Sequence, residues 1–102
     1  MIAAYHEILP DLPRVKMWSK RRAQALGARI RERCKEGKQA DTIGYWRSFF
    51  EQVAASPFLC GRSTDFRADL EWLIRPENFA KVIEGRYASL GSSNGNGAVH
   101  AR

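Results

Sequence analysis

The stretch DTIGYWRSFFEQVAA, residues 41 to 55, decides the fold. Projected as a helix at about 100° per residue, Ile43, Tyr45, Trp46, Phe49, Phe50, Val53 and Ala54 fill one half of the circumference. Arg47, Ser48, Glu51 and Gln52 fill the other. Asp41 or Thr42 can cap the N-terminus, and Ser56-Pro57 ends the run, because a residue before proline is pushed out of the helical region. An apolar face this broad needs several neighbours to cover it, so the stretch reads as the central helix of an all-α core. Each large side chain buried there contributes roughly 1.5–3 kcal/mol.

Working outward toward the N-terminus, residues 20 to 36 form a second helix, with Ser19 as N-cap and Gly37 just past the end. Its apolar stripe is narrow: Ala23, Leu26, Ile30 and Cys34 lie within about 80° of one another. Arg22, Arg29 and Arg33 line one side of the stripe. Lys20, Arg21, Arg31 and Lys35 lie on the other side and on the back. Before it, residues 2 to 9 place Ile2, Tyr5, Ile8 and Leu9 at helical spacing, until Pro10 and Pro13 remove backbone donors.

Toward the C-terminus, DFRADLEWLIRPENFAKVIEGRY (65 to 87) repeats Phe66, Leu70 and Leu73 on one face, then Phe79, Val82 and Ile83. Pro76 suits the first turn of a new helix, Glu77 suits that end electrostatically, and Gly85 can end it. KVIEGRY alternates too weakly to make a strand. Beyond Leu90, GSSNGNGAVHAR has nothing to bury. The expectation is therefore a small compact bundle of four to five helices over residues 1–90, closed by 65–87, with a disordered, flexible tail over 91–102.

A chain of 102 residues suits one domain, and its 44% hydrophobic content excludes wholesale disorder. No apolar run approaches the roughly 20 residues of a membrane helix. MIAAYHEILPDLPR lacks the pattern of a signal peptide, which makes the cytoplasm the default location. Cys34 and Cys60 are read as reduced and partly buried. With His6 and His100 they offer no two neighbours that form half of a zinc site.

The net charge of +6 is concentrated: residues 14 to 38 hold ten cations, Arg14, Lys16, Lys20, Arg21, Arg22, Arg29, Arg31, Arg33, Lys35 and Lys38, against Glu32 and Glu36. Lysine and arginine on one helix neutralise phosphates and release counterions, and arginine adds bidentate geometry. The chemistry points to nucleic acid bound by its backbone, single- or double-stranded and largely independent of sequence, through Lys20, Arg21, Arg22, Arg29, Arg31, Arg33 and Lys35. An acidic protein surface and plain solvation of a basic helix are the competing readings. Trp18 can stack on a base or fill the core, and the small core favours the second. A helix-turn-helix reader is disfavoured, because residues 41–55 would have to be the recognition helix and offer only Arg47 and Gln52 to bases.

Enzyme chemistry finds no foothold in the chain. It has no phosphate-loop, nucleophile-elbow or H-E-x-x-H motif, and no cofactor or metal is expected. Asp65, Asp69 and Glu71 read as a solvated helix face, and His6 as a surface or packed histidine. Trp72, Phe79 and Ile83 read most simply as core anchors, and Arg75, Lys81 and Arg86 interleave with them. These three cations are the candidate contacts for a partner groove or a single strand.

Three segments carry a resemblance: YHEILPDLPRVKMWSKRRAQALGARIRE, YWRSFFEQVAASPFLCGR and the 65–87 stretch. Their most specific parts are Ser56-Pro57-Phe58-Leu59 with Gly61, and Phe66 to Tyr87 with Trp72, Pro76, Asn78, Phe79, Lys81, Glu84 and Gly85. Together, over roughly residues 4 to 87, they resemble the C-terminal region of phage and prophage DNA-replication proteins of the replisome-organiser or initiator-like kind. The resemblance implies a replication setting, with single-strand binding or contact with a replicative helicase or its loader. It implies no catalytic residue. Such proteins usually carry a winged-helix or similar DNA-binding domain ahead of this region; here that domain is expected to be missing, so origin recognition does not carry over.

Overall fold

A computed structural model describes residues 1–87 and contains five helices in chain order: α1 (Ile2–Ile8), α2 (Lys20–Lys35), α3 (Ile43–Ala54), α4 (Leu70–Leu73) and α5 (Pro76–Ile83). The described residues form no sheet, only an isolated antiparallel bridge between Cys60 and Arg67. The all-α expectation holds. The tail expected over 91–102 lies outside the described residues.

Local chemistry sets the helix ends. The Ser19 hydroxyl accepts from the Arg22 amide at 3.1 Å, and Thr42, rather than Asp41, accepts from the Tyr45 amide. Asp69 caps α4 by accepting from the Trp72 amide at 2.8 Å, and Pro76 opens α5. Gly37, past the end of α2, has φ +79°, a left-handed conformation that a side chain would disfavour.

Helix α3 is the hub, with α1 packed on it on one side and α5 on another, while α4 packs on α5. Trp46 meets Phe49 edge-on at 5.3 Å and lies 5.7 Å from Phe79, and Tyr5 of α1 meets Phe50 edge-on at 5.7 Å. Such pairs add to the burial of their large area. The polar ends of the buried rings are satisfied: Trp46 Nε1 donates to the Ala40 carbonyl at 2.8 Å, and Tyr5 Oη to the Pro13 carbonyl at 2.7 Å.

Ile43 and Cys34 sit elsewhere than expected. Ile43, in the first turn of α3, is 51% exposed, whereas Trp46, Phe49, Phe50 and Val53 further along that face are buried. Cys34 is exposed, whereas Cys60 is buried; both are free thiols, and burial pushes the Cys60 thiol upward in pKa.

A second aromatic group forms away from the hub. Phe58 stacks on Phe66 at 4.9 Å and on Tyr87 at 5.4 Å, and Trp72 closes the ring of contacts against both. All four are half-buried. Ser56 Oγ donates to the Tyr87 carbonyl at 2.6 Å, which ties the end of the described chain to the end of α3.

Candidate functional site

The seven cations singled out on α2 divide into two sets with opposite orientations. Arg22, Arg29 and Arg33 recur at i, i+7 and i+11, so they fall within about 40° of one another on the helix. That edge faces the rest of the molecule. Arg22 Nη2 donates to Glu71 Oε1 at 2.8 Å, and its Nη1 donates to the Met17 carbonyl at 2.9 Å. Arg29 is buried at 6% exposure: its Nε and Nη2 donate to the two oxygens of Glu32 at 2.9 and 2.7 Å, and its Nη1 to the Ile74 carbonyl at 3.1 Å. Arg33 Nε donates to Tyr45 Oη at 2.8 Å, and its Nη1 to Glu36 at 2.6 Å.

This corrects the expected docking stripe. Ala23 and Cys34 are exposed; Ala25, Leu26 and Ile30 are the residues that pack against the core, on either side of the arginine row. The apolar stems of arginine reach across to the body, and the guanidinium heads end on fixed acceptors. Arg29 leaves the set of candidate phosphate contacts, because freeing its head would strand the buried Ile74 carbonyl. Arg22 and Arg33 are also committed inward.

Lys20, Arg21, Arg31 and Lys35 point the other way. All four are exposed, and none makes an ion pair among the described residues. They span about 100° of the back of α2 over roughly 22 Å of helix length. Gln24 and Gly27 lie among them. A Cβ placed on Gly27 would meet only one atom within 4 Å, Nη1 of Arg31, at 3.3 Å. The Arg31 guanidinium therefore lies back along the helix over the glycine.

The seam between α2 and the body is not sealed. Clefts of about 230 Å³ and 130 Å³ open along it, the first beside Glu32, Glu36 and Phe79, the second beside Tyr45 and Gln52, with Arg33 and Ile83 lining both. A smaller one of about 60 Å³ holds Trp18 with Arg22 and Glu71. Trp18 is half-buried there against the core.

The candidate partner residues are exposed but not grouped as one set. Arg75 pairs with Glu71 at 3.7 Å and so shares that carboxylate with Arg22. Lys81 and Arg86 come together at the end of α5, where the Arg86 amide donates to the Lys81 carbonyl, and Arg86 pairs with Glu84 at 3.1 Å. The carboxylate cluster also separates into structural tasks, with Asp69 as a cap and Glu71 as the partner of two arginines. Tyr45 and Glu71, the acceptors that orient α2, gave no signal of that task in the sequence, because each lies far along the chain from its arginine.

No helix among the described residues is long and apolar enough to cross a membrane. Set beside known proteins, the chain matches no protein-family model, no curated protein and no solved structure.

Proposed function

We propose that this chain is a non-enzymatic module that binds nucleic acid by its phosphate backbone, through Lys20, Arg21, Arg31 and Lys35 on the solvent side of α2. One observation carries the reading: a single helix spends three arginines on its own docking and leaves four cations exposed, with no ion pair among the described residues. Unpaired cations in a row attract a polyanion at little desolvation cost. The resemblance of the sequence to phage and prophage replication proteins adds a replication setting in the cytoplasm of the host cell.

The test is binding of short labelled DNA, single- and double-stranded, across a salt series. Affinity falls with salt, with a logarithmic slope of roughly −3 to −4 for four phosphate contacts on a duplex. Alanine at Lys20 and Arg21 together reduces that slope by about two. No binding at low salt to either form would overturn the proposal.

A second reading, docking on a replicative helicase or its loader, is favoured by the half-buried rings Phe58, Phe66, Trp72 and Tyr87, with exposed Arg75 three residues after Trp72 and exposed Arg86 next to Tyr87. Partner recovery that survives nuclease treatment and is lost in Arg75→Ala/Arg86→Ala would favour it over the first.

A further inference from the structure

We infer that Met17 is a base contact: the loop from Arg14 to Trp18 carries the nucleic-acid surface beyond the first turn of α2, with Arg14 and Lys16 on phosphates and the Met17 thioether against the face of an unpaired base. This rests on the nucleic-acid reading and adds a single-strand preference to it. Two large apolar side chains are exposed among the described residues, Met17 at 73% and Ile43 at 51%. An exposed apolar side chain standing alone is ordinary on a protein surface. Met17 does not stand alone. Arg14, Lys16, Lys20 and Arg21 lie within four residues of it, all are exposed, and none makes an ion pair among the described residues. No carboxylate occurs between Asp11 and Glu32. Asp69 and Glu71, which line a cleft with Arg14 and Trp18, are engaged as the cap of α4 and the partner of Arg22.

The backbone that presents Met17 is held on both sides. The Val15 amide donates to His6 Nε2 at 2.9 Å, and the Met17 carbonyl accepts from Arg22 Nη1 at 2.9 Å. Val15 and Trp18 pack on the core, whereas Lys16 and Met17 stay outside. The backbone is thus ordered before a ligand arrives, so less entropy is lost on binding. The Met17 side chain keeps its rotatable bonds, which suits bases of different shape, and a thioether makes favourable contact with aromatic rings.

The surrounding charge selects the ligand, because four unpaired cations attract phosphates. A bilayer of anionic lipid would meet the same charge, but one methionine offers too little apolar surface to hold it. In a duplex both faces of each base are stacked, and prying a step open costs more free energy than one thioether contact supplies. A single strand offers base faces between its phosphates without that cost.

The experiment measures, across a salt series, the affinity of the full chain and of Met17→Ala, Met17→Phe and Lys16→Ala for three probes: a short oligothymidylate, a strand of the same length with abasic sites, and a duplex. Met17→Ala lowers affinity for oligothymidylate about fivefold, within the range of a sulfur on an aromatic ring, and leaves the salt slope unchanged because no charge is lost. It has no effect on the abasic strand or the duplex, and the thermal midpoint holds because the side chain is exposed. Met17→Phe keeps or raises the affinity, since a ring stacks on a base. Lys16→Ala instead reduces the slope by about 0.7, the contribution of one phosphate on a single strand.

Equal affinity of Met17→Ala and wild type for oligothymidylate overturns the inference and leaves the cationic face of α2 intact. An equal loss on the abasic strand overturns it too, since the methionine would then act without a base. A loss confined to the duplex would place Met17 in a base step and overturn the single-strand assignment. Binding to phosphatidylserine vesicles that falls in Met17→Ala, with oligothymidylate unaffected, would give the loop to a lipid surface and likewise overturn it. Failure of the wild type to bind any oligonucleotide at low salt overturns the underlying reading instead.

Discussion

The Arg29 head is held by both oxygens of Glu32 and by the Ile74 carbonyl, 45 residues further along the chain. Replacing it with alanine leaves a buried carbonyl without a donor and removes a stem from the seam. The expected loss is about 2–3 kcal/mol in urea unfolding. Arg31→Ala, two residues on but facing solvent, changes stability by less than about 0.5 kcal/mol while weakening DNA binding. Equal stabilities for the two variants would contradict the division of α2 into an inward and an outward set. That division was hidden in the sequence because an arginine that anchors a helix and one that meets a ligand are the same letter, and a backbone carbonyl acceptor has no letter at all. His6 is a second residue whose role depends on a distant partner. The Val15 amide donates to its Nε2 at 2.9 Å, so the ring must be neutral at that nitrogen, and burial, then the nearby Arg14 charge, lower its pKa. The unfolded chain therefore takes up the proton first as pH falls. The stability this contact gives is complete above the ordinary histidine pKa of about 6.5 and is lost as pH drops through the folded value. Thermal midpoints at pH 8 and pH 5 should differ more for the wild type than for His6→Gln, which keeps an acceptor and does not titrate. An identical pH dependence in both would remove His6 from the account.

At the scale of the element, the helix ends were the most legible feature. Ser19, Gly37, Pro76 and Gly85 act through their own backbone geometry within a turn, so the cap chemistry can be read without knowing the neighbours. The buried side of α3 was legible for the same reason, since a half-circumference of rings has only one way to face. What could not be read was the rotation of α2. A stripe of Ala23, Leu26, Ile30 and Cys34 is too thin to fix a helix, and the arginine row beside it docks instead, with Glu71 and Tyr45 as acceptors. Nor could the sequence show that Asp69 caps a four-residue helix, because α4 exists only where α5 and the core hold it. The cap of α2 bears directly on the site, since Lys20 and Arg21 follow it at once. Ser19→Ala removes the acceptor for the Arg22 amide, should cost about 1 kcal/mol of stability, and frays the turn that carries two of the four exposed cations. Circular dichroism melts give the first effect. A fall in DNA affinity larger than in a Thr42→Ala control, whose cap lies on α3, gives the second.

For the whole molecule, the architecture separates a hub from an attached rod. Helices α1, α3, α4 and α5 share one apolar core of interlocking rings, whereas α2 is joined to it by three partly buried apolar side chains and three arginine heads, along a seam with open clefts. Across that seam the arginines reach one half-exposed carboxylate, Glu71, one phenol and one backbone carbonyl, and these few polar links hold less firmly than ring packing. The part of the molecule that carries the candidate site is thus the part that opens most easily. Amide hydrogen exchange should show it. Protons in the middle of α3 exchange only on global unfolding, those of α2 by a cheaper local opening, and added salt speeds the second set by weakening the Arg22–Glu71 ion pair that ties α2 to the body. A polyanion laid along the outer face bridges Lys20 and Arg21 in the first turn of α2 with Arg31 and Lys35 near its end, so it resists that opening from outside. Oligonucleotide at saturation should then slow exchange across 20–35 and leave 43–54 unchanged. If α2 is as protected as α3 in the free protein, the hub-and-rod description fails. If oligonucleotide slows exchange in 76–83 and not in 20–35, the ligand has gone to the surface near Lys81 and Arg86, and the phosphate-binding role passes from α2 to α5.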